Sequence, residues 1–157
     1  MPILSFRQKN KATERRGHPG SEHDAPRDDR TGCYHAEWFN ELLAFEKRRC
    51  ERSRDSLLLM RVDLKAFDNI SDRHEIAALV MRVLSHVTRE TDIKGWHASG
   101  AVLGIMFTHL TKEGKNREAI VQRIINRCSD SLKTSSDLER LSEAAISWRV
   151  YPGEFLE

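Results

Sequence analysis

At 157 residues, 39% hydrophobic and 32% charged, the chain is long enough for one soluble, globular domain with a real core. A formal net charge of +2 is too small to argue for nucleic acid or an anionic membrane, and no apolar run reaches the length of a membrane span or a signal-peptide core. Cys33, Cys50 and Cys128 are odd in number and far apart, with no CxxC pair, so neither a disulfide framework nor a zinc site is expected and a reducing cytoplasm fits.

Residues 1–27 are rich in charge, hold Gly and Pro, and show no sustained apolar period. They read as a disordered polar arm that cannot bury enough surface to offset its ordering entropy, with the domain at 28–157. The arm's basic cluster (Arg7, Lys9, Lys11, Arg15, Arg16) reads as solvated, with contact to an acidic partner as the alternative. From Thr31 the periodicity is clear. "HAEWFNELLAFEKRRCERSR" predicts a helix with Trp38, Phe39, Leu42, Leu43 and Phe45 on one side. "SLLLMRV" is a continuous apolar run of strand length, as expected for a central buried strand. "RHEIAALVMRVLSHVTRE" predicts a second helix that turns Ile76, Leu79, Val80, Val83, Leu84 and Val87 inward. Next comes a hairpin, roughly Ile93–Ala98 and Val102–Phe107. "NREAIVQRIINRC" predicts a third helix burying Ile120, Val121, Ile124 and Ile125, and the Ser-rich "SDSLKTSSD" reads as a loop. "AAISWRVY" is expected to close the chain as the last strand. This order predicts an α+β sandwich of ferredoxin-like type: a mixed, mainly antiparallel sheet with its helices on one face.

From about Asp28 to Tyr151 a set of patterns occurs in a fixed order. "DDRTGCYHAEWF" echoes D-x-L-T-G-L-x-N-R-x-x-F, keeping Asp28, Thr31, Gly32 and Phe39 but placing His35 where the pattern has Asn. "LLLMRVDLKAF" echoes L-L-L-L-D-I-D-x-F-K with one residue fewer between Asp63 and Lys65. "RHEIAA" echoes G-H-x-x-G-D, "RETDIKGWHASGAV" echoes R-x-x-D followed by G-G-D-E-F, and "ISWRV" echoes S-I-G-V-A. The chain thus resembles the GGDEF domain of diguanylate cyclases, which implies a nucleotide-cyclase palm fold with flanking helices.

The resemblance implies a reaction, and the departures argue against it. Such cyclases join two GTP molecules across a homodimer face, with two magnesium or manganese ions held by clustered carboxylates. The first metal Asp of the family strand falls at Arg61. The signature pentapeptide falls at Ala98, Ser99, Gly100, Ala101 and Val102, which replace its glycines and both acids. The Asp that reads guanine falls at Ala78. Asp63 alone survives among these acids, so no catalytic residues, no metal and no cofactor are expected, and an active cyclase is the reading these positions disfavour.

Arg89 and Asp92 form an R-x-x-D five residues before the altered signature, the family's inhibitory site for cyclic di-GMP. An Arg fork suits a phosphate or a guanine face, and an Asp suits the guanine N1–H and N2–H pair. The alternative is a solvated helix terminus. Trp96, where the family has Arg, reads either as a stacking surface or as packing. His74 and His86 lie twelve residues apart on one predicted helix, poorly aligned as joint ligands, and His97 and His109 flank the hairpin without a third ligand. Cys50 and Cys128 read as small fillers or exposed thiols. The function expected is an inactive, cytoplasmic, cyclic di-GMP-responsive bacterial signalling module. It would pass its signal to a protein partner, as in exopolysaccharide regulation, and would form a homodimer if the family face persists. The alternative is a ligand-free module for protein interaction or dimerisation.

Overall fold

Runs of apolar strand and amphipathic helix produce the architecture of the computed structural model, which describes residues 26–110, 116–152 and 155–156. The arm expected over 1–27, its basic cluster included, lies outside the described residues except for Pro26 and Arg27. These two are joined to the domain: the Pro26 carbonyl accepts from the His35 N–H at 3.0 Å, and Arg27 forms an antiparallel bridge with Tyr34. The elements that follow are α1 (Ala36–Ser53), β1 (Leu57–Asp63), α2 (Ile70–Leu84), β2 (Ile93–Ala98), β3 (Val102–Phe107), α3 (Arg117–Lys133), α4 (Leu138–Leu141), β4 (Ala145–Tyr151) and β5 (Phe155–Leu156).

β1 is central because both of its faces are apolar. It lies between β3 and β4 in a five-stranded sheet of order β2-β3-β1-β4-β5. Every ladder in this sheet is antiparallel, and the parallel contact among the described residues is the isolated bridge between Tyr34 and Gly95. Alternation along β1 splits the core in two. Leu58, Met60 and Val62 join Ile76, Leu79, Val80 and Leu84 of α2 and Val121, Cys128 and Leu132 of α3. Leu57 and Leu59 point the other way, with Met106, onto Phe39, Leu43 and Cys50 of α1. The sheet therefore carries helices on both faces, which corrects the one-face expectation. Periodicity marks a helix's buried stripe but not the side of the sheet on which it lands.

Phe39 explains how close α1 can come. Its ring covers the cross-strand pair Gly95 and Gly104, and a Cβ at these positions would fall 2.5 and 2.6 Å from Phe39 atoms. Only glycine leaves room there, and removing the fully buried ring costs about 3–5 kcal/mol by the usual cavity argument. The buried stripe of α1 is Phe39, Leu43, Glu46 and Cys50. Trp38 and Leu42 are half-buried on its flank, and Phe45 is half-buried outside both apolar clusters, contrary to the single face expected.

Three element boundaries also differ. α2 starts at Ile70, capped by Asn69 accepting from Asp72 N–H, and ends at Leu84 instead of running to Glu90. Ser85 and Thr88 hydroxyls donate to the Arg82 and Leu84 carbonyls at 2.7 and 2.9 Å, which favours a turn over further helix. α3 continues to Lys133 through half of the predicted loop, because Leu132 extends the stripe of Val121 and Cys128 while the intervening polar residues face outward or half outward. β4 is not the last strand, since β5 pairs with it at Trp148 and Arg149.

Candidate ligand-binding site

The hairpin bend is built by backbone. Ala101 N–H donates to Ala98 O at 3.0 Å, Gly100 takes φ +64°, and Leu64 N–H donates to Ala101 O at 2.8 Å. Arg73 reaches over from α2 to the Gly100 carbonyl at 3.5 Å. Ala98, Ser99, Gly100 and Ala101 thus form a tight, hydrogen-bonded turn without a carboxylate, and Val102 is buried at the start of β3. Asp63 lies opposite Val102 and is already engaged. Its Oδ1 accepts from Lys65 N–H at 2.9 Å and its Oδ2 lies 3.9 Å from Lys65 Nζ. Arg61, opposite Gly104, shares that face of β1. Ala78 is half-buried on α2, and His35 is the exposed N-cap of α1 without a side-chain capping bond. Among the described residues no group of three or more His, Cys, Asp or Glu is placed to hold a metal ion.

Trp96 is packing, only 2% exposed, with its indole N–H donating to Asp28 Oδ2 at 3.2 Å. His74 stands beside both, with Nε2 3.5 Å from Asp28 Oδ2 and its ring centroid 5.1 Å from that of Trp96. Burial raises the Asp28 pKa, but hydrogen bonds from Arg30 N–H, Trp96 and Thr31, with His74 nearby, outweigh it and hold the carboxyl below its ordinary value. His97 pairs with Asn40 at 2.8 Å, and His109 Nδ1 lies 3.7 Å from Asp55. His86 is exposed. The three cysteines are buried and free. Burial, reinforced by the charge of Asp92, pushes the Cys128 thiol up to about 11.

The charged pair stands at the other end of β2, in the turn that replaces the last predicted turn of α2. Asp92 is buried, its side chain 1% exposed. Its Oδ2 accepts from Arg89 N–H at 2.7 Å and its Oδ1 from Arg89 Nη2 at 3.0 Å. The same Nη2 donates to the Thr108 carbonyl at 2.8 Å, just past β3. Arg89 nevertheless leaves 53% of its side chain open. The carboxylate acts as a clamp that aims a guanidinium outward.

That guanidinium borders a cleft of about 740 Å³ which also takes in Arg27, Tyr34, Trp38, Lys94 and Thr108. Arg27 stacks on Tyr34, with Cζ 4.3 Å from the ring centroid, and donates to the phenol oxygen at 2.9 Å. Glu46 lines the cleft too but is bonded to Arg49 at 2.8 Å. Of the residues around this cleft, Arg89 and Asp92 were singled out in the sequence, and Arg27, Tyr34 and Trp38 were not. Arg27 sits in a charged stretch with no periodicity, and nothing local reveals its bridge to Tyr34. Trp38 gave a weak signal: an aromatic one position before the buried Phe39 lies about 100° round the helix, on the flank.

No family model and no curated protein matches this chain. Solved structures do. A sensory box/GGDEF family protein from Caulobacter crescentus is 18% identical, with 82% of this chain and 85% of that chain covered at a TM-score of 0.58. The GGDEF domain of DgcB from the same organism, in complex with c-di-GMP, is 14% identical over 86% and 83% of the two chains, with a TM-score of 0.56. Diguanylate cyclase SiaD from Pseudomonas aeruginosa, in complex with its activator SiaC, is 17% identical over 95% of this chain and 58% of that one, with a TM-score of 0.56. With this sheet order and these flanking helices, the chain folds as a GGDEF-like domain, an α+β nucleotide-cyclase fold.

Proposed function

We propose that this domain binds cyclic di-GMP instead of making it, and that Arg89 is the residue that grips the ligand. One observation carries the reading: a guanidinium pre-oriented by a buried carboxylate and a backbone carbonyl, half open on a cleft that holds a second, aromatic-stacked Arg. Three cations, Arg27, Arg89 and Lys94, and two aromatic walls suit a ligand with two phosphates and planar bases. Asp92 serves as the clamp in this arrangement, because both of its oxygens already accept from Arg89.

The residues at the bend do not fit the two metal ions of cyclase chemistry. Arg61 brings a cation where the first metal carboxylate would stand, Asp63 is tied to Lys65, and Gly100 and Ala101 offer no side-chain oxygen. Divalent ions need clustered oxygen donors. The signalling output we propose is contact with a protein partner, of the kind seen in the complex of SiaD with its activator, in a cytoplasmic polysaccharide or cell-surface pathway. A second reading, a ligand-free interaction module, is favoured by the closure of the Arg89–Asp92 pair on itself.

Calorimetry decides between the two. Cyclic di-GMP should bind the wild-type chain, more weakly as salt rises. Arg89→Ala should lose about ten- to a hundredfold in affinity, the usual cost of about 1.5–3 kcal/mol for a charge-assisted contact. No heat with wild type at high micromolar ligand, or equal affinity in both proteins, leaves the interaction module as the function.

A further inference from the structure

A second cationic site lies on the opposite flank of α1, over β1 and β4. Strand alternation puts Arg61 on the same face as Leu57 and Leu59, whose partners on β4 are Tyr151 and Arg149. Arg61 pairs with Ser147, so Arg61 and Arg149 are diagonal neighbours on one face, a relation that spans about 7–8 Å. Arg149 Cζ lies 4.7 Å from the Tyr151 ring centroid, and Lys47 Nζ, arriving from α1, lies 4.2 Å from it. The aromatic ring gathers two cations beside a third.

Nearby groups bear the mark of this charge. Burial lowers the His97 pKa first, and the positive charges of Arg61 and Lys47 lower it further. Asp63, the acid of β1 on this face, is bonded to the amide and ammonium of Lys65. Arg61 Nε is buried and has no hydrogen-bond partner among the described residues. A buried guanidinium donor without an acceptor is costly, and an oxyanion supplies that acceptor.

We propose that Arg61, Arg149 and Lys47 bind a phosphate-chain oxyanion, a pyrophosphoryl group, directly and without a bridging metal. Three cations spread over two strands and a helix match a ligand with several negative charges better than a single phosphate. The site is separate from the Arg89 cleft, which opens on the other flank of α1 beside Trp38 and Leu42.

The test titrates the full chain with inorganic pyrophosphate in the presence of EDTA, following the melting temperature and the His97 imidazole resonance. Pyrophosphate should raise the melting temperature and also raise the His97 pKa, because a bound anion offsets the charges that depress it. Arg61→Gln should weaken binding by about tenfold or more, and Arg61→Lys should restore part of it. Equal binding of pyrophosphate, GTP and ATP would show that the phosphate chain alone is read, and tighter binding of a nucleotide would identify that as the source. Either result supports the site. No response at millimolar pyrophosphate, or the same affinity in Arg61→Gln, overturns it whatever the outcome with cyclic di-GMP.

Discussion

The Arg89–Asp92 turn and the Ala98–Ala101 bend sit at the two ends of one strand, β2, and are built in different ways. The first is held by a buried carboxylate that bonds a guanidinium and a backbone amide, so its shape and its chemistry rest on the same atoms. The second is held by backbone hydrogen bonds and one glycine at φ +64°, so its shape needs no reactive side chain. A turn of the second kind can keep its geometry with any small residues, whereas a turn of the first kind cannot lose its acid without losing its form. Binding function is therefore expected where side chains do the folding.

The largest effect should come from breaking the first turn. Asp92→Ala removes the acceptor of the Arg89 amide and one of the two acceptors of its Nη2, a loss of about 2–3 kcal/mol for bonds to a charged group. In a chain of this size that lowers the melting temperature by roughly 4–12 °C. A melting temperature within experimental error of wild type would show that the carboxylate does not hold the turn. Arg89→Ala sharpens the same comparison from the other side. Its guanidinium is half exposed, so affinity for cyclic di-GMP should fall ten- to a hundredfold while stability falls less than in Asp92→Ala, about 1 kcal/mol.

The bend should respond in the opposite sense. Arg61→Asp with Gly100→Asp and Ala101→Glu places two acids on the bend and a third on β1, opposite Gly104. The left-handed conformation at Gly100 makes the new Asp cost about 1 kcal/mol, which Asp tolerates better than most residues. With Mg²⁺ or Mn²⁺ and GTP neither wild type nor this variant should form cyclic di-GMP, because Ala78 still offers guanine no acceptor and Trp96 still fills the ground beside Asp28. Product from the triple variant would show that the bend's side chains were all that was missing.

The smallest effect is a pH dependence near the bend. Folding lowers the His97 pKa, so the unfolded chain binds the proton more readily. Stability is then greatest above the ordinary imidazole value of 6.5 and falls as the pH drops below it. Arg61→Gln removes one cause of the depression and should flatten this slope, as read from melting temperatures on either side of that value. For Asp28 the folded pKa is also lowered, so its contribution is present above the ordinary carboxylate value of 3.8 and disappears as the pH falls through the lower, folded one. An unchanged His97 slope in Arg61→Gln would place its origin in burial and the charge of Lys47.

Much of the fold was legible along the chain. Five apolar residues, Leu57–Met60 and Val62, broken only by Arg61, read as a central strand, and Ser99-Gly100 between two short strand-like runs reads as a hairpin turn, so β1, β2 and β3 fall where expected. Helix ends were read less well. The last turn expected of α2 is undone by Ser85 and Thr88 hydroxyls competing for carbonyls, and α3 outruns its obvious pattern because one buried Leu132 is enough to carry it on. The pair Arg89 and Asp92 was visible as a spacing. Its geometry was not, since nothing in four residues says that Asp92 turns inward to hold its own Arg.

Local sequence by itself determined which residues make strands and helices, that the bend holds no acids, and that a cation stands at Arg61. These are properties of residue type and period, which the chain displays directly. Tertiary structure alone decided that α1 covers the face opposite α2 and α3, that Arg27 and Tyr34 close on the Arg89 cleft, and that Lys47, Arg61 and Arg149 share one side of the sheet. Those facts depend on which strands pair and in which register, and pairing is set by the simultaneous burial of surfaces far apart along the chain.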